Sequence, residues 1–167
     1  MLPLAVAELS EWSDLFVASA GATAALAGLV FVAISINIER ILQLEGVPEL
    51  GMVTLLLLVG VLVVSLFGLL PGQDDRTFGI EVLIQSVLWS SLIAFLVARS
   101  TASMGKGEGR LTSRVILPLF GTVPYLVGAV LLVVGTDAGM YWVFAGMIGA
   151  TLAAVMNAWI LLVEILR

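Results

Sequence analysis

The chain of 167 residues is 61% hydrophobic and only 11% charged, and it carries a formal net charge of −5 with no Cys and no His. Its mean hydropathy of +1.19 is that of an integral membrane protein, since about a quarter of the residues in a soluble domain are charged. The composition excludes disulfides, thiol nucleophiles and histidine-ligated haem or zinc. The negative charge argues against nucleic acid as a partner, and we expect neither a cofactor nor a metal.

The N-terminal segment MLPLAVAELSEWSD lacks the Lys or Arg with which a cleaved signal peptide begins, so we expect it to belong to the mature chain. Five apolar stretches follow, each long enough to cross the roughly 30 Å hydrocarbon core of a bilayer. They cover residues 14–36, 51–71, 79–98, 115–135 and 140–163. The sequence predicts a single transmembrane domain over residues 1–167, built as an all-α bundle of five transmembrane helices.

The distribution of Lys and Arg predicts the orientation of this bundle. With five spans, the side of the membrane that holds the N-terminus carries Arg76 as its one basic residue. The other side carries Arg40, Arg99, Lys106, Arg110, Arg114 and Arg167. Because basic residues accumulate in cytoplasmic loops, we expect the N-terminus outside, the C-terminus inside, and a multi-pass protein of the cytoplasmic membrane.

The first span is unusually rich in small residues. On a helical wheel, residues that are mostly seven apart fall on one face: Asp14, Gly21, Ala24, Gly28 and Ser35. Glu39 extends their line past the inner membrane edge. Small residues let helix backbones approach closely in lipid. The face therefore indicates either the centre of the five-helix bundle or a surface that meets a symmetry axis, as a pore lining or an oligomer interface.

An apolar stripe at Ile34, Ile38 and Ile41 predicts that the first helix continues beyond the membrane. The first span with this exit, ASAGATAALAGLVFVAISINIERIL, resembles small multi-pass bacterial membrane proteins of unassigned activity. The resemblance covers this segment and the five-span layout. It implies no catalytic or binding residues.

Later spans contain a few polar or small positions of interest. Gln85 and Trp89 share one side of the third span, and Gln85 is expected to face protein. Asn157 lies inside the fifth span, where it is expected either to bond to a neighbouring helix or to line a path. The fourth span has glycines at seven-residue spacing, Gly121 and Gly128, which indicate close helix packing or a gate.

Acidic residues dominate the predicted outer side. Glu8, Glu11 and Asp14 are three residues apart and lie on roughly one helical side. In a ring of subunits they would form an acidic mouth that concentrates cations. The ordinary alternative is that these residues are polar because they lie in water.

No group of carboxylates converges at membrane depth, so the sequence does not predict an enzyme. Our leading hypothesis is a small homo-oligomeric channel or pore, with cations as the favoured permeant. One alternative is an accessory or regulatory subunit whose small faces pack against helices of a membrane-protein partner. Another is a small-molecule or lipid transporter with its site among Gln85, Trp89 and Asn157.

Overall fold

The structure, a computed structural model, describes residues 9–103 and 108–166, with side chains for residues 9–99 and 116–163. A short 3-10 helix, Leu9–Trp12, is followed by six α-helices. These are α1 (Ser13–Ile36), α2 (Ile38–Gln43), α3 (Val47–Gly68), α4 (Asp75–Ser103), α5 (Glu108–Val134) and α6 (Ala138–Leu166). Every helix except α2 is long and apolar enough to cross a membrane, which confirms the five predicted spans of a multi-pass, all-helical chain.

Glycine and proline define several helix ends. Gly46 adopts a left-handed conformation (φ 73°) just before α3, and Pro48 lies in the first turn of α3, where a missing N–H breaks no helical hydrogen bond. Gly135 is also left-handed (φ 84°) after α5. The N–H of Thr136 there donates to the carbonyl of Leu131 at 2.8 Å, as in a Schellman cap. Contacts between the long helices show that α1 runs antiparallel to α3 and that α5 runs antiparallel to α6.

The central helix of the bundle is α3. It packs against α1, α4 and α6, whereas α1 packs chiefly against α3. Val53, Leu57, Val61 and Val64 place α3 in the main hydrophobic core. Its sequence is apolar on all sides, which is typical of a helix surrounded by others. The interpretation of α1 as the centre of the bundle is therefore wrong.

The helices approach most closely at glycines. On α5, a Cβ at Gly121 would come 2.8 Å from Cα of Ala150, and one at Gly128 would come 2.7 Å from the backbone nitrogen of Val143. On α6, a Cβ at Gly149 would meet the carbonyl oxygen of Phe120 at 2.6 Å. The glycine stripe of the fourth span thus provides the close helix packing that its spacing indicated.

The first helix does not continue straight out of the membrane, contrary to the prediction. It ends at Ile36, and Asn37 leaves helical geometry (φ −107°, ψ 16°). The Asn37 side chain donates from Nδ2 to the carbonyl of Ala33 at 2.9 Å, which is a local bond of the kind that competes with the helix ladder. Beyond this break, Ile41 of α2 is buried with Leu161 of α6 in a small second core.

Candidate functional site

The candidate site from the sequence is a row of residues on α1, and the structure places this row on the outside of the chain. The row comprises Asp14, Gly21, Ala24, Gly28 and Ser35, and each of these residues is exposed. Ser35 donates its hydroxyl to the carbonyl of Phe31 at 2.8 Å, so its polarity is satisfied within the helix. We call this row the small face of α1.

The small face points outward because a different side of α1 packs against α3. Phe16 and Thr23 are buried, and Ala27 and Val30 are partly buried against the main core. At about 100° per residue, this packed side lies roughly 140° from the small face. The side of α1 that carries Phe16 and Thr23 therefore packs in the bundle, and the small face stays exposed.

Packing among the described residues does not require glycine on the small face. A Cβ at Gly21 or Gly28 would find no described atom within 4 Å, whereas one at Gly121 or Gly128 on α5 would meet helix α6 below 3.0 Å. Glycine in a helix interior also costs about 1 kcal/mol relative to Ala. The two exposed glycines thus carry a cost with no packing benefit in the part of the chain that the structure describes.

Large apolar side chains flank the small face. Phe31 lies on one side of it, and Leu29 and Ile36 lie on the other, each displaced by roughly 70–90° around the helix. Leu29 is 68% exposed, Phe31 61% and Ile36 77%. Large exposed apolar side chains therefore flank the small face on both sides, which makes it a candidate contact surface for another helix in lipid.

Acidic side chains lie near both ends of the small face, but only Asp14 belongs to the row on α1 itself. Asp14 is exposed in the first turn of α1, and Glu11 is exposed on the preceding 3-10 helix. Glu8 lies outside the described residues. Glu39 is exposed but belongs to α2, beyond the break at Asn37, so it does not continue the α1 row as the wheel predicted.

The same end of the bundle as Asp14 has an open pocket of about 570 Å³. Three parts of the chain line it: the 3-10 helix, the α3–α4 turn with Asp74 and the start of α4 with Arg76, and the α5–α6 turn with Asp137. The backbone N–H of Leu9 donates to Oδ1 of Asp75 at 3.2 Å and so joins the first two segments. Within the described part of the chain, no three Asp or Glu side chains are grouped to hold a metal ion.

Asp74 precedes α4 and keeps its charge to lower pH than an ordinary aspartate. The hydroxyl of Thr77 donates to Oδ1 of Asp74, and this hydrogen bond is the largest cause that lowers the pKa of Asp74 below 3.8. Backbone N–H groups at Asp74 and Thr77 and the nearby charge of Arg76 act in the same direction. Asp74 thus contributes a fixed negative charge to the pocket near neutral pH.

Gln85 and Trp89 join α4 to α3 in the middle of the membrane. Nε2 of Gln85 donates to the carbonyl of Gly60 at 2.8 Å, and Nε1 of Trp89 donates to the carbonyl of Leu56 at 2.9 Å. A Cβ at Gly60 would lie 3.2 Å from the Trp89 ring, so the glycine permits this close approach. Both candidate side chains are thus engaged in holding two helices together.

A cavity of about 20 Å³ lies beside Gln85, among α3, α4, α5 and α6. This is the volume of about one water molecule, far less than a drug-sized solute occupies. Asn157 is buried on α6 but does not line the cavity, so Gln85, Trp89 and Asn157 do not form one site. Among the described residues, Nδ2 of Asn157 has no hydrogen-bond partner.

The cavity includes Tyr125, which the sequence patterns alone do not single out. Tyr125 is 7% exposed, and a Cβ at Gly146 of α6 would lie 2.9 Å from its ring. The available signal was its position between Gly121 and Gly128, on the same face of α5.

Comparison of the chain with protein-family models, with curated proteins and with solved structures finds no match.

Proposed function

We propose that this chain is a subunit of a homo-oligomeric membrane channel, assembled through the small face of α1 and selective for cations. The observation that carries the proposal is the absence of any atom within 4 Å of a Cβ at Gly21 or Gly28. Exposed glycines on a helix in lipid allow a second helix to approach to backbone contact. A copy of the same chain offers the same face, so a rotational assembly can close on itself.

The packing of the single chain favours a path between subunits rather than through one of them. Glycines bring α5 and α6 into backbone contact, and the cavity beside Gln85 holds the volume of about one water. In a ring of subunits, the polar ends of the row, Asp14 and Ser35, would face the axis. The exposed carboxylates of Asp14 and Glu11 would then concentrate cations at the predicted outer mouth.

The test is the mass of the purified protein in native mass spectrometry after detergent removal, followed by cation flux in liposomes. We expect one closed ring of several subunits. Gly21→Leu and Gly28→Leu should break the ring without unfolding the subunit, because a Cβ at either position would lie more than 4 Å from any atom of the described residues. Ala22→Leu is the matched control, since Ala22 is exposed on α1 but lies roughly 100° from the small face.

A second candidate, an accessory subunit that binds a partner helix, is favoured by the flanks of the small face. Leu29, Phe31 and Ile36 are large, apolar and exposed, which suits a dry helix contact better than a wet pore. An accessory subunit should be monomeric or polydisperse until its partner is present. A monomer with no flux would contradict the channel, whereas a single ring with cation flux that Gly28→Leu abolishes would contradict the accessory subunit.

A further inference from the structure

Among the residues that the structure describes, two buried polar atoms beside this cavity have no hydrogen-bond partner. They are Oε1 of Gln85 on α4 and the hydroxyl of Tyr125 on α5. Each residue is 7% exposed, and both line the same cavity. Buried polar groups in folded proteins are nearly always hydrogen-bonded, either to protein or to ordered water. Two such atoms on one cavity therefore point to a polar occupant.

The orientation of the Gln85 amide follows from its other contact. The carbonyl oxygen of Gly60 can only accept a hydrogen bond, so the amide atom 2.8 Å from it is the Nε2 donor. This leaves Oε1 as an acceptor that needs a donor. A flipped amide would put two carbonyl-type oxygens in contact and would give up the bond to α3.

The cavity has the size and the lining of a water site. Its volume is about 20 Å³, and one water needs roughly 10–15 Å³ and two to four polar partners. Ser86 and Thr122 also line it. Their hydroxyls donate to the carbonyls of Val82 at 2.6 Å and Pro118 at 3.0 Å, so each hydroxyl oxygen still has a free lone pair.

We propose that one ordered water molecule occupies this cavity and bridges Gln85 to Tyr125. The Tyr125 hydroxyl donates to the water oxygen, and the water donates one hydrogen to Oε1 of Gln85 and the other to a lining hydroxyl. Together with the bond from Gln85 to Gly60, this bridge links α5, α4 and α3 in one chain of hydrogen bonds. The water site is separate from the small face of α1, so it does not rest on the proposed function.

The direct test is a high-resolution structure of the full chain in lipid or detergent. We expect one spherical density peak within about 2.6–3.2 Å of both Oε1 of Gln85 and the Tyr125 hydroxyl. A direct Gln85–Tyr125 hydrogen bond, an empty cavity, or elongated density for an acyl chain would each overturn the proposal. This measurement uses the wild-type protein, so it does not require any variant to fold.

The second test uses Tyr125→Phe, which removes the hydroxyl and keeps the ring against Gly146. Water-edited solid-state NMR should show transfer from water to the Gln85 side chain in the wild type and its loss in Tyr125→Phe. Tyr141→Phe is the control, because Tyr141 is 62% exposed on α6 and lies outside the cavity lining. Equal transfer in the wild type and Tyr125→Phe would contradict the bridge.

Discussion

The ring of Phe16 on α1 occupies the space that a β-carbon at position 68 on α3 would need. Near the other end of the same antiparallel pair, a Cβ at Gly51 would lie 3.2 Å from Cδ1 of Ile34. Phe16 also contacts Phe78 of α4 edge-to-face, with ring centroids 5.6 Å apart. Because position 68 is glycine, the ring of Phe16 can pack closely against α3 and so hold α1 to the central helix.

Gly68→Ala is expected to destabilise the protein by about 1–3 kcal/mol, because the added methyl group overpacks a filled space. The measurement is the thermal midpoint of the purified protein in one detergent. Gly21→Ala is the matched control, since its methyl group would meet no atom within 4 Å. A midpoint that falls equally in both variants would contradict the Phe16–Gly68 contact.

Trp89→Phe is expected to cost about 0.6 kcal/mol and at most roughly 1.7 kcal/mol, which are the average and the largest values found for hydrogen bonds between membrane helices by double-mutant cycles. The substitution removes the Nε1 donor that bonds to the carbonyl of Leu56 and keeps an aromatic ring near Gly60. Trp159→Phe serves as the control, because Trp159 is 64% exposed on α6. Equal thermal midpoints for the two variants would show that the α3–α4 bond does not contribute.

Thr77→Val is expected to raise the pKa of Asp74 towards 3.8, because it removes the hydrogen bond that lowers this pKa most. Since the pKa of Asp74 is lower in the folded than in the unfolded chain, its contribution to stability is present above the unfolded pKa. That contribution is lost as the pH falls through the folded pKa. A carboxyl-carbon NMR titration measures the change, and Thr77→Ser, which keeps the hydroxyl, should leave the pKa low.

Asp14→Asn is expected to reduce cation conductance on the order of tenfold at low salt if subunits meet around the small face of α1. The effect should shrink towards 1 M salt, where the Debye length is about 3 Å. Asp137→Asn is the control, because Asp137 is exposed at the same end but lies on the α5–α6 turn. Bilayer recordings in which both variants lose the same conductance would place the permeation path elsewhere.

The five spans could be predicted because crossing a bilayer requires a fixed length of apolar helix, and length is read directly from sequence. The sequence did not allow us to predict which helices pack against each other. Small residues on α1 and on α5 give the same signal, yet a Cβ at Gly128 would meet α6 and one at Gly28 would meet no described residue within 4 Å. Spacing shows that a face permits close approach, but the neighbour is decided by the packing of all the helices together.

Local chemistry explains the other differences. The break at Asn37 arises from a side-chain bond to the carbonyl of Ala33, which competes with a helix that the apolar stripe would continue. Gln85 and Tyr125 lie on the neighbouring helices α4 and α5, and residue spacing within one helix does not show which positions of two helices face each other. Orientation, assembly and permeant remain predictions of charge and of exposed surface.

The central position of α3 has a consequence for biosynthesis. It precedes α6 in the chain by two long helices, yet the two pack against each other. Each span is inserted as an independent helix before the helices associate. Until α6 has entered the bilayer, the side of α3 that α6 will cover must face lipid. The bundle therefore closes only after α6 is inserted, and a nascent chain truncated before Ala138 exposes that side of α3.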